Sequence, residues 1–238
     1  GVLTAMLVLT AIGNIGKIKE FAKVFAPEIP EPTAVLISVL RKHPMLCPSF
    51  ARLDEYWQQS ILTALQLQAD FNFGQFCQAE MIPASLGTAK TILAESESSS
   101  GDHGRLDVLG FFLLRNILTQ CVLAAGADET SSVFMTESRY STVKMGCEVL
   151  LGNLEAQSPQ TVVKKYLSER ATKQYLTFSD YNPEARAIVR VACMCRINDA
   201  ALGKQVREAF EALTQKQRTA LTKYLNADGI SERPGFLL

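Results

Sequence analysis

The chain is poor in the residues from which most catalytic and metal centres are assembled. It holds only two histidines, His43 and His103, which excludes any site needing several imidazoles. Neither is followed by Asp, and no Glu stands three residues before a His, so neither the paired His-Asp metal motif nor the di-iron helical bundle is present. There is no Gly-rich phosphate loop ending in Lys and Ser or Thr, no GxSxG, no GxGxxG and no HExxH. Six cysteines stand singly at 47, 77, 121, 147, 193 and 195. They form no CxxC and no disulfide-type spacing, so a reducing compartment such as the cytoplasm is expected. Cys193 and Cys195 lie two apart on an expected helix, about 200° around it, and read as separate core-lining thiols.

Net charge is lacking too. The 24 basic and 24 acidic residues cancel, so no overall field draws the chain to nucleic acid or to anionic lipid. Residues 1–159 carry 11 basic against 16 acidic residues and residues 160–238 carry 13 against 8, a split of −5 and +5. It reads either as an aid to packing between the halves or as a mildly basic patch for a partner.

Long hydrophobic runs are missing except at the start, GVLTAMLVLTAIGN, which resembles the apolar part of a signal peptide or a clipped membrane span. It has no basic leader and no small-residue cleavage site, and its first charge, Lys17, arrives before the roughly 20 residues a span needs. A core helix is expected there, and no membrane span. Gly1 in place of Met and the ending on Phe236, Leu237 and Leu238 suggest a piece of something longer.

What is present is helix. A hydrophobic content of 47% over 238 residues suffices for one large core, and a single domain over 1–238 is expected. Strand and hairpin signals are nearly absent, so the expected fold is an all-α, irregular multi-helix bundle of about ten helices. Thr4 to Phe25 reads as a first helix weakened at Gly13 and Gly16, and Thr33 to Lys42 as a short second one closed by Pro44. Ser49 to Asp70 reads as one long helix with the single Trp57, and Asn72 with Gln75 as a capping box opening a helix that Pro83 stops. A helix over 84–94 leads into ESESSSGDHG, residues 95–104, expected as a flexible acidic loop. Residues 105–125 are apolar almost all round and are expected to form the buried central helix. Further helices open at Thr136, at Ser158 with Pro159, at Asn182 with Pro183, at Asp199, and at Thr214 with Gln217. A repeat of the first helix pair at the period of a solenoid is not found.

Candidate chemistry rests on misplaced polar residues. Helical pitch puts Glu80 on the face of Phe73, Phe76 and Cys77, where desolvation would raise its pKa toward acid/base use unless Arg115 pairs with it. Asp107 and Arg115 lie on the expected central helix, and His103 stands four residues before Asp107. Glu80, His103, Asp107 and Arg115 are therefore the candidate catalytic residues, with an oxygen-rich metal site as a variant and no cofactor identified. In the plainer reading Asp107 favours a helix dipole and His103 is a loop residue. Ser131, Ser132, Thr136, Ser138 and Ser141 crowd a helix entry suited to an anion, and Ser99 with Asp102 offers a phosphorylation context. The leading expectation is a non-enzymatic helical interaction or scaffold domain with a protein partner. An all-α enzyme at Glu80, His103 and Asp107, and a helical carrier of an apolar small molecule, are the alternatives.

Overall fold

In a computed structural model, which describes residues 1–100, 105–122 and 135–231, every regular element is helical. The chain divides into two compact units, each assembled from discontinuous segments: residues 1–73 with 88–135, and residues 74–87 with 136–238. It passes from one to the other three times, so no single linker separates them.

The first unit opens with α1 (Val2–Ile12), a 3-10 turn (Ile15–Lys17) and α2 (Lys19–Phe25). The expected single helix is broken between Gly13 and Ile18, with an 83° bend between the two parts. Gly16 is needed at this break, because a Cβ there would overlap the carbonyl of Pro32. Then come α3 (Pro32–Lys42), capped by the Glu31 carboxylate on the Ala34 N–H, α4 (Pro48–Ala51) and α5 (Glu55–Asp70). The long helix expected over 49–70 is thus two, because the Asp54 side chain accepts from the Trp57 N–H at 3.0 Å and starts a new one. The core gathers Leu9, Leu36, Leu40, Phe50, Ile61 and Leu65, all almost wholly buried. α3 packs on α5, and α1 touches α5.

α6 (Phe73–Cys77) is followed by α7 (Pro83–Ser100), which begins in the second unit and ends in the first. Residues 95–100, expected as loop, continue α7, so the acidic run does not stop the helix. Ser96 is buried, with its hydroxyl on the Leu93 carbonyl at 2.8 Å, the local back-bonding that lets Ser sit within a helix. Residues 101–104 lie outside the described residues. α8 (Arg105–Cys121) packs on α1 and α5 and buries Val108, Leu109, Phe111, Phe112 and Leu113. Its rings meet Trp57 (Phe111, centroids 5.7 Å) and Phe71 (Phe112, 6.1 Å). It is not the central helix expected over 105–125: α5 takes that place in the first unit, touching α1, α3 and α8, while α8 leaves Leu114, Leu118 and, just past its end, Val122 exposed.

In the second unit stand α9 (Glu137–Asn153), α10 (Pro159–Lys173), α11 (Pro183–Met194), α12 (Ala200–Glu211) and α13 (Gln215–Leu225). Each expected cap is made: Thr136, Ser158, Asn182, Asp199 and Thr214 all accept a backbone N–H three residues on, and Thr214 with Gln217 closes a full capping box. α11 is the hub, touching α10, α12 and α13. α6, α10 and α11 are each followed by a residue other than Gly in left-handed conformation, namely Ala79 (φ 56°), Tyr175 (φ 57°) and Arg196 (φ 56°). After each, the next N–H closes on a carbonyl five residues back: Glu80 on Gln75, Leu176 on Ala171 and Ile197 on Ala192.

Candidate functional site

The four residues singled out from the sequence do not share one element. α6 stops at Cys77, and the left-handed Ala79 turns the chain, so Glu80 stands on the non-helical stretch before Pro83. The helical-face argument for Glu80 therefore fails, because five residues end where a longer helix was expected. Glu80 is half-buried in the second unit, whereas Asp107 is exposed in the first turn of α8 in the first unit. His103 lies outside the described residues, as do Asp102, Ser131 and Ser132. Arg115 is buried, and its guanidinium abuts Gly13 at the C-terminal end of α1, 2.9 Å from where a Cβ of residue 13 would sit. A cation there faces the negative end of the α1 dipole, and burial pulls its pKa below the usual arginine value. At the entry to α9 the Thr136 hydroxyl accepts from the Arg139 N–H at 3.3 Å, which is the cap itself. Among the described residues no three His, Cys, Asp or Glu side chains are grouped so as to hold a metal ion.

The densest buried polar cluster described lies elsewhere, in the second unit, between α10 and α11. Tyr166 stacks on Phe76 at 4.5 Å, and its hydroxyl donates to the Cys77 carbonyl at 2.6 Å. One turn on, Arg170 is 2% exposed, and its guanidinium acts on both the Tyr166 hydroxyl and the Cys193 thiol, yet Nε and Nη1 have no hydrogen-bond partner. Gln174, another turn along, is fully buried; its Nε2 donates to the Ile197 carbonyl at 3.2 Å, and its Oε1 is unpartnered. From α11, Arg190 is equally buried and donates through Nη1 to the Leu225 carbonyl (2.7 Å) and through Nη2 to the Met81 carbonyl (3.2 Å), leaving Nε unpaired.

The electrostatics follow from burial. Desolvation lowers Arg190 to about 10, and the groups acting on it are the Cys193 thiol and the Tyr181 phenol, with no carboxylate among them. Desolvation also raises Cys77, Cys193, Tyr166 and Tyr181, so all four stay protonated at neutral pH. Protonated, buried thiols are inert as nucleophiles. The cluster offers fixed positive charge and spare N–H donors, which suits holding an anion better than moving a proton.

Sequence reasoning missed Arg170 and Arg190, yet Arg170 had a signal. On α10 the buried stripe runs Val162, Val163, Tyr166, Leu167, Arg170 and Ala171, with the arginine occupying a slot of apolar periodicity. The test that singled out Glu80 applies equally well here. Two of the basic residues behind the +5 of residues 160–238 are thus interior groups.

On the first unit, α3 and α5 border a groove of about 540 Å3 lined by Glu31, Arg41, Lys42 and Asp70 along with Ile37 and Ala69. Its charged rim differs from the apolar wall expected of a lipid or hydrophobe carrier. More distinctive are exposed apolar stripes on α1 and on α8, two helices in contact. Leu3 and Leu7 are 70% and 63% exposed, four residues apart on α1, and Leu114, Leu118 and Val122 are exposed at the same spacing along α8 and its end. No single helix among the described residues is long and apolar enough to cross a membrane; the bent pair of α1 with its 3-10 turn and α2 reaches that length and composition only jointly.

A family model described as "Family of unknown function (DUF6829)" matches residues 2–238. No curated protein and no solved structure matches the chain.

Proposed function

We propose that this chain, which belongs to that family of unknown function, is a non-enzymatic helical interaction domain that docks a protein partner on the α1–α8 face of its first unit. The observation that carries this reading is the pair of exposed leucine stripes, Leu3 with Leu7 on α1 and Leu114 with Leu118 on α8, on two touching helices. Singly exposed apolar residues are ordinary, but stripes at helical spacing on adjacent helices have the pattern by which a helix is received. Zero formal charge favours a protein over a nucleic acid as partner. Six cysteines without a disulfide fit a reducing compartment such as the cytoplasm. Glu80 stands off-helix and Asp107 is exposed in the first turn of α8, so neither occupies the apolar helical face on which the acid/base alternative rests.

A photo-activatable cross-linking residue placed at Leu118 in cells tests this, with Lys204 on α12 as the exposed control. A discrete protein adduct is expected from position 118 only, and it should vanish when Leu3→Asp and Leu7→Asp are added. Adducts of equal intensity at both positions, or none at 118, would overturn the reading.

A further inference from the structure

A small cleft in the second unit lies where α10, α11 and the end of α13 meet, and it is independent of the leucine face. Its walls are Lys164 of α10, Arg186 and Arg190 of α11, and Asn226 just past α13, closed by the apolar side chains of Val163 and Leu225. Three cations line it, and no Asp or Glu is among the lining residues. Glu184, two residues before Arg186, pairs with Arg218 at 3.9 Å, and neither lines the cleft. Among the described residues, then, no carboxylate lines the cleft to neutralise these cations.

The donor accounts of the two arginines leave groups to spare. Arg186 gives Nε to the Asn226 Oδ1 at 3.1 Å and Nη1 to the Tyr181 carbonyl at 3.1 Å. Arg190 gives both terminal nitrogens to backbone carbonyls, and its Nε, in a side chain 2% exposed, has no partner. A buried cation paired only with neutral carbonyls carries a desolvation cost that a bound anion would offset. These carbonyl bonds also fix the guanidinium, so a ligand would meet it already oriented.

Size narrows the anion. The cleft holds about 40 Å3, which at the 10–15 Å3 needed per water accommodates about three water-sized atoms. That is the size of a carboxylate head alone, so its stem must run outward toward the mouth, whereas a phosphate would have to seat all five of its heavy atoms inside. Val163 and Leu225 would flank the carbon stem.

We propose that the Lys164–Arg186–Arg190 cleft is a binding site for a carboxylate group carried on a short apolar stem, from a free organic acid or from a peptide C-terminus. Lys164, exposed on α10, supplies the charge at the mouth, and Arg190 supplies the charge at the base.

The test is thermal unfolding of the whole chain with sodium propionate, with sodium phosphate, and with sodium chloride at matched ionic strength, for the native protein and for Lys164→Glu. Lys164 is exposed, so its replacement leaves the fold intact, which circular dichroism verifies. Saturating propionate is expected to raise the native midpoint by about 5 °C and that of Lys164→Glu by less than about 1 °C, with no rise in chloride. Equal responses of the two proteins, or an equal rise in chloride, would overturn the site. A rise with phosphate and none with propionate would overturn the carboxylate assignment. A short peptide with a free C-terminus, compared with its amidated form, distinguishes the two sources: half-saturation far below that of propionate identifies a peptide end, and parity identifies a free acid.

Discussion

Tyr166→Phe removes one oxygen atom from the interior of the second unit, and its cost can be worked from the bonds it breaks. The hydroxyl donates to the Cys77 carbonyl at 2.6 Å in a side chain that is almost wholly buried, and it also interacts with Arg170. The ring and its stacking on Phe76 stay, so the apolar and cavity contributions are close to zero. What remains is a buried carbonyl stripped of its donor, at about 1–3 kcal/mol. A further loss comes from Arg170, whose Nε and Nη1 already lack partners and which would lose another. The expected destabilisation is about 2–3 kcal/mol, or a fall of roughly 4–12 °C in the melting midpoint for a chain of this length. Urea unfolding followed by circular dichroism is the assay, with the exposed Tyr175→Phe as a control expected within about 0.5 kcal/mol of the parent. A Tyr166→Phe loss below about 0.5 kcal/mol would mean that the buried network contributes nothing net, and the reasoning from unpartnered polar groups would fail.

Gly16→Ala drives a Cβ into the backbone carbonyl of Pro32, which cannot swing aside; a loss of about 3 kcal/mol is expected in the same urea assay, and a neutral result would show that the break after α1 is misplaced. Tyr175→Gly relieves a left-handed residue that is 68% exposed, so a gain of about 1 kcal/mol is expected, and a loss would contradict the cap described for α10. A thiol reagent on the native protein should modify Cys121 and Cys195 rapidly and leave Cys47, Cys77 and Cys193 unmodified until denaturant is added; rapid loss of all six thiols would refute the burial pattern. Alkaline stability has a definite sign. Burial raises Cys77 and Cys193 above their ordinary value of 9.0, so their contribution is complete below about pH 9 and is lost as the unfolded thiols ionise above it. Arg190, lowered to about 10, acts in the opposite sense only above that pH, so the urea midpoint should hold from pH 7 to 8 and decline from 9 to 10; a flat profile would contradict this.

Much of the fold was legible because helix starts are written in side chains. Thr136, Ser158, Asn182, Asp199 and Thr214 each announce an N-terminus through an oxygen that accepts a backbone N–H, and each makes that bond. Helix ends were less legible. Ala79, Tyr175 and Arg196 adopt the left-handed cap usually left to Gly, and nothing in their chemistry advertises it. The misreading of Glu80 descends directly from this, since an unseen stop at Cys77 leaves helical pitch without meaning three residues later. Asp54 was the converse case: a capping carboxylate inside a run read as continuous. The grouping of contacts into two units, with residues 74–87 belonging to the second, was not legible either. Such an interleaving leaves no linker composition to read. The cationic interior at Arg170 and Arg190 was hidden because arginine on a helix is ordinarily counted as surface.

The leucines of α1 carry the functional reading, and it requires that they belong to the surface and not to the core. Urea unfolding of the Leu3→Asp, Leu7→Asp double variant measures this directly. A change within about 1 kcal/mol is predicted, because exposed positions tolerate polar residues and an Asp near the start of α1 favours its dipole. A loss of about 3 kcal/mol or more would show that both side chains are packed in the native protein, and α1 would then have no free face to offer a partner.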